Sequence, residues 1–282
     1  MPQLQFGKPE YDGLATKFYR AVAPTFRYWM QTEVHVYAFS IAANVLLAFF
    51  PFLIVCLSLS RPFFKYQTAV DTIDFALHDY FPNVFSDFVH RALPTRRTPP
   101  EVISIFLLLF TANGIFEPLE VALNRVWGIA NNRSFLRNQL VSMGLIFGCG
   151  ALALFSLWLA AENNAVLKGN RVEAFLAGLW LKLAAVPLST MIVLLVYRFL
   201  PNGKPPFKRV VPAAIGVALL LELLKYLVAL IWPWFHVKFQ REYGVFEGPV
   251  TLVFLAFFSS MIVLAGAEWA ARGHRLDTPA RP

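Results

Sequence analysis

Six long apolar runs divide the chain, at about residues 37–59, 102–118, 140–161, 174–200, 211–235 and 249–270. A bilayer core of about 30 Å takes roughly 20 helical residues to cross, and five of the six runs meet that length. Their apolar residues are not confined to one stripe, so they predict helices surrounded by apolar material on all sides. The second run is the shortest, interrupted near its end by Asn113, Glu117 and Pro118. It predicts a span packed among the others rather than one broadly in contact with lipid. Ahead of the first run, residues 1–36 are mixed and polar. Aromatics alternate there with Arg20 and Arg27 over 18–29, which predicts a helix lying at the membrane interface. Residues 271–282 form a polar tail. Between the first two runs, Val70, Ile73, Leu77, Phe81, Val84, Phe88 and Leu93 recur at helical steps, predicting an amphipathic pair split by Pro82 that packs as a lid or lies in the headgroup plane.

Composition turns this pattern into a class. With 57% hydrophobic and 15% charged residues, and a mean hydropathy of +0.55, the chain has too little polar surface to cover a water-soluble globule. The expected fold class is therefore an all-α, polytopic integral membrane bundle of about six spans. The formal charge of +8 would point to nucleic acid in a soluble protein. Here the basic residues sit in the short connections, where they set orientation, and no nucleic-acid partner is expected. Fourteen Lys and Arg fall on the side of the termini and nine on the other, which predicts both termini in the cytoplasm. Cys56 and Cys149 lie within spans and read as small hydrophobes. No cleavable leader is expected, the first span serving as insertion signal.

Charged side chains at membrane depth cost a few kcal/mol or more, so each needs a partner or a wet cavity. Counting 1.5 Å per residue puts Lys182, Glu222 and Lys225 at a similar depth, with Asn44 and Asn113 closer to the cytoplasmic side. Glu222 and Lys225 share one helix face, and Lys182 is placed to reach Glu222 from the preceding span. One reading is a buried ion pair that fixes helix packing. The other is a polar cavity whose excess positive charge takes a charged headgroup or an anionic solute. A shallower set, Glu117, Glu120, Arg125 and Glu268, is expected at the cytoplasmic helix ends, with Arg125 the partner of either of the first two glutamates. Gly144 and Gly148 make a small-xxx-small pair, and Gly216 and Gly266 sit in the fifth and sixth spans. The five histidines are scattered over separate connections without metal-ligand spacing, and no GxSxG, GxxxxGK[ST] or HExxH motif occurs. No catalytic residue, metal or cofactor is expected, and the chain is read as a non-enzyme.

Several stretches together carry a resemblance. They are Ala42-Ala43-Asn44 through Phe50-Pro51-Phe52, Leu119 to Gly128 (LEVALNRVWG), Tyr197 to Asn202 (YRFLPN), Glu222-Leu-Leu-Lys225, Tyr243-Gly244, and Leu264 to Glu268 (LAGAE). In this order, over roughly residues 35 to 270, they resemble the YihY/virulence factor BrkB membrane proteins, once labelled ribonuclease BN. Val245-Phe246-Glu247 departs from the pattern by placing a carboxylate in a segment that is usually small residues. The resemblance implies a six-span bundle in the bacterial inner membrane. A nuclease needs water-facing carboxylates or histidines to hold a metal over phosphate, and few lie outside the spans. Three functional classes follow: a transporter or flippase-like protein for an amphiphilic or anionic substrate, a structural or regulatory membrane protein without transport, and, with least support, a membrane-bound enzyme.

Overall fold

The computed structural model describes residues 14–60, 73, 77, 100–130, 134–166 and 171–277. Helix α1 spans Leu14–Trp29, α2 Thr32–Ser60, α3 Pro100–Trp127, α4 Phe135–Val166, α5 Arg171–Phe199, α6 Phe207–Tyr243 and α7 Glu247–Asp277, with a single 3₁₀ turn at Gly244–Phe246 between the last two. No strand occurs among the described residues. The six longer helices contain the six apolar runs, and α1 contains the 18–29 stretch. By length and composition alone, four stretches are apolar enough to cross a membrane: Thr32–Val55, Ile103–Trp127, Leu136–Ser156 and Phe207–Arg272, the last holding two helices. The architecture is a polytopic helical membrane bundle.

Helix α7 lies at its centre, packed on α2 and α6 and touching α1 and α3, while α2 packs along α3, and α5 sits between α4 and α6. Lipid tails are as apolar as leucine, so burial of apolar surface gives little reason for helices to associate in a bilayer. Close approach of backbones does the work instead, through small residues. The contact faces fit this account. Ala38 and Ala42 of α2, Ala213, Ala214 and Ala218 of α6, and Ala267, Ala270 and Ala271 of α7 are all buried. A Cβ on Gly266 would overlap the Val217 side chain and lie 2.9 Å from the Tyr197 hydroxyl. That hydroxyl donates to the Val263 carbonyl, locking α5 onto α7. Outward faces carry large apolar residues, among them Ile103, Phe106, Phe110, Leu140, Phe147 and Leu230, as a lipid-facing surface should.

The second apolar run, predicted to close at Pro118, continues as helix to Trp127. Proline at 118 removes only the backbone bond to the Gly114 carbonyl. The turns beyond it are held by Leu119, Ala122, Leu123 and Val126, all in the core. The helix ends at Gly128, where φ is +67°. There the Gly128 amide donates to Arg125 (3.1 Å) and the Ile129 amide to Asn124 (2.8 Å), the Schellman arrangement that favours glycine. Of the amphipathic segment between the first two spans, Ile73 and Leu77 are described. Both are helical; Ile73 is buried and Leu77 packs on Leu252 with Val45, Leu46 and Phe49. The remainder of that segment lies outside the described residues.

Candidate functional site

Helix α6 has 37 residues, about 55 Å of helix, and Glu222 and Lys225 lie at its middle. Their spacing of three puts both carboxylate and ammonium on one face. The structure joins them, with Lys225 Nζ 2.8 Å from Glu222 Oε2 and side chains only 8% and 11% exposed. The Lys225 ammonium also lies 5.4 Å from the Tyr226 ring centre. Two charges this close to each other and this far from water make a neutral unit, which is the form in which ionised groups persist at such depth. Helix α5 carries Lys182 and packs against α6, but the Lys182 side chain lies outside what the structure describes.

The asparagines fall elsewhere. Asn44 donates from Nδ2 to the Ser40 carbonyl (2.9 Å) on its own helix, and a Cβ on Gly114 would collide with its amide. Asn44 therefore sits where α2 and α3 approach closely, and its contacts are those of a packing residue. Asn113, beside Gly114 on α3, is half-buried.

The shallow set is only partly one site. Arg125 does not pair with Glu117 or Glu120; its guanidinium lies 2.6 Å from Glu33 Oε2 on α2. Glu120 and Arg125 are five residues apart, which places them on diverging faces of α3, so Glu120 turns into the core (6% exposed) while Arg125 points out. Glu120 accepts from Asn124 Nδ2 (3.4 Å), and Asn124 Oδ1 accepts from the Asn202 amide (2.7 Å). Glu117 is exposed. Glu268 pairs with Arg272 at 2.6 Å and accepts from Thr25 of α1 at 2.9 Å, while Arg272 also donates to Thr25.

Arg125 and Glu268 meet at a cavity of about 430 Å³ enclosed by the ends of α1, α2, α3 and α7, whose walls include Arg27, Tyr28, Glu33, Tyr37 and Arg272. Three guanidinium groups and two carboxylates face this space. Burial pushes the Tyr28 phenol above its ordinary range, and the Glu268 carboxylate adds to the shift. Sequence reasoning missed Thr25, Tyr28, Glu33 and Arg272, because nothing in their spacing links α1 and α2 to the end of α7. It also missed the side-chain contact of His236 with Glu247 towards the C-terminal end of α6, where His236 stacks on Trp232 with ring centres 5.8 Å apart. The unusual carboxylate at 247 was the available signal. Among the described residues, no three His, Cys, Asp or Glu side chains are grouped to hold a metal ion.

The long apolar helices, their small-residue contacts and the buried pair define a polytopic helical membrane protein. The family model described as virulence factor BrkB matches residues 25–281. The chain belongs to that family. Among its relatives are UPF0761 membrane proteins of Pseudoalteromonas translucida (24% identical, covering 86% of this chain and 85% of the relative), Chlorobium luteolum (24%, covering 96% and 64%) and Chromohalobacter salexigens (31%, covering 60% and 42%). The chain thus spans less than two thirds of the latter two. No solved structure matches.

Proposed function

We propose that the protein is a carrier or flippase-like protein for an anionic amphiphile in the bacterial inner membrane, with both termini cytoplasmic and six crossings. The observation that carries the proposal is the Glu222–Lys225 ion pair, buried within the apolar stretch of α6 from Val210 to Phe235. A helix interface is held more cheaply by alanine and glycine, as α6 and α7 show, so an ionised pair at this depth is better explained by something that exchanges with it. The polar cavity at the ends of α1, α2, α3 and α7 supplies a mouth on the side to which the excess of Lys and Arg assigns the cytoplasm. The role so proposed is non-catalytic, with the lipid bilayer and an anionic lipid or solute as partners.

The experiment is translocation of fluorescent phosphatidylglycerol across proteoliposomes, read by dithionite quenching, for the wild type and for Lys225→Met and Lys182→Met. The proposal expects wild-type protein to speed translocation and Lys225→Met to abolish most of the gain. Equal rates in all samples would remove it. A second reading, a structural or regulatory membrane protein, is favoured by the neutrality of the pair. It expects these substitutions to change unfolding in detergent and to leave translocation at the protein-free rate throughout.

A further inference from the structure

The geometry points to a second site, independent of the transport reading: a groove between α4 and α5 that holds the phosphate headgroup of an anionic phospholipid. The groove has a volume of about 500 Å³, and three cations line it, Arg137 at the start of α4, Arg198 at the end of α5, and Lys204 in the connection that follows. Among the described residues of its lining there is no carboxylate. This distinguishes it from the cavity under α1, where Glu33 and Glu268 answer the arginines.

The site is built by local sequence. Arg137, Val141, Gly144 and Gly148 recur at steps of four, three and four and so form one face of α4. Leu195, Arg198, Phe199 and Asn202 supply the opposing face of α5 and its end. The Arg198 guanidinium donates to the Pro205 carbonyl (2.9 Å), which fixes it in the lining. A Cβ on Gly203 would come within 2.8 Å of Ile129 Cδ1, so the α5–α6 connection is seated against the end of α3. A Cβ on Gly144 would meet nothing within 4 Å, and one on Gly148 only Leu195 Cδ1 at 3.6 Å. The two glycines thus leave open space instead of closing a helix contact. From Arg137 to Gly148 the slot runs about 16 Å along α4, roughly half the hydrocarbon core, and exposed Leu140, Phe147 and Phe199 flank it.

Charge and shape fit one occupant. Basic pockets between membrane helices at the headgroup level capture anionic lipids. Arginine in particular matches phosphate through paired N–H donors. The apolar slot below the cations accepts the start of an acyl chain, which a free phosphate ion lacks.

The test is native mass spectrometry of the full-length protein in detergent, titrated with phosphatidylglycerol, phosphatidylcholine of the same chains, or inorganic phosphate. The expected result is at least tenfold preference for phosphatidylglycerol over phosphatidylcholine. Each cation removed should weaken binding about fivefold, so Arg137→Gln/Lys204→Gln should lose about 25-fold, while Arg241→Gln, at the other end of α6, loses nothing. Gly144→Leu, which fills the slot and leaves the cations in place, should also reduce binding of the diacyl lipid. Equal affinity for the two lipids, or an unaffected double variant, overturns the site. Competition by inorganic phosphate at concentrations comparable to the lipid would reassign it to a soluble anion. A dimer that disappears in Gly144→Leu without any lipid dependence would give the groove to a second copy of the chain. Because the readout is binding, failure here leaves the translocation result standing, and the converse.

Discussion

Replacing Lys225 with methionine strips the Glu222 carboxylate of the ammonium 2.8 Å away. At that separation two unit charges attract by about 6 kcal/mol at an effective dielectric constant near 20. Both side chains are almost fully removed from solvent, so the cost of desolvating them offsets much of that attraction. The asymmetry between single and double substitutions is therefore the informative quantity. Removing one partner takes the opposite charge away from the other and should cost about 3–5 kcal/mol. Removing both, as Glu222→Leu/Lys225→Met, leaves apolar side chains of similar volume in apolar surroundings and should cost below about 1.5 kcal/mol. The single losses then exceed the double loss by at least about 4 kcal/mol when summed. Reversible unfolding in mixed micelles of rising dodecyl sulfate fraction, followed by tryptophan fluorescence, measures all three variants on one scale. Single losses under about 1 kcal/mol that add up to the double value would refute a directly coupled pair.

Two further outcomes follow from other parts of the bundle. Gly266→Ala drives a methyl group into Val217 and against Tyr197 and should lower stability by about 1–3 kcal/mol in the same micelle assay; Val217→Ala added to it should recover part of the loss, and an unchanged unfolding midpoint would show that α6 and α7 do not approach so closely. The Tyr28 phenol is held above its ordinary range by burial and by Glu268, so the folded state retains this proton more firmly than the unfolded state does. Its contribution is fully present below about pH 10 and is lost as the pH rises beyond that value; stability measured from pH 8 to pH 12 should fall less steeply in Tyr28→Phe, and identical slopes would place Tyr28 in water.

The apolar runs announced the helices because membrane depth tolerates little else, and the count of runs survives as six long helices. Their ends were less legible. The proline at 118 suggested a stop, yet the following turns are held by Leu119, Leu123 and Val126, whose burial depends on α2 and α7 and cannot be read from a window of sequence. Helical spacing correctly placed Glu222 and Lys225 together, since residues three apart share a face whatever the surroundings. The same reasoning failed for Arg125, where the true partner Glu33 is 92 positions away and comes close only because α2 and α3 pack side by side. The resembling segments, by contrast, acquire a physical meaning in three dimensions. LEVALNRVWG ends in the glycine that closes α3, and its Asn124 receives the Asn202 amide from the YRFLPN segment, so the two stretches form one junction at the end of the bundle.

The distribution of charge bears on what a carrier of this kind would take. A neutral pair does no work against the membrane potential, whereas one uncompensated charge moved through 100 mV involves about 2.3 kcal/mol. A solute that displaces Glu222 from Lys225 must supply a negative charge of its own to replace the carboxylate beside the ammonium. A lipid of net negative charge, such as phosphatidylglycerol, meets that condition; a zwitterionic lipid, whose choline already compensates its phosphate, or a sugar does not. In a carrier built on this pair, anion selectivity would follow from the pair itself, whatever the rest of the substrate. Adding phosphatidylcholine in place of phosphatidylglycerol to the translocation assay examines this step directly, since equal acceleration of both lipids would mean that nothing exchanges with Glu222.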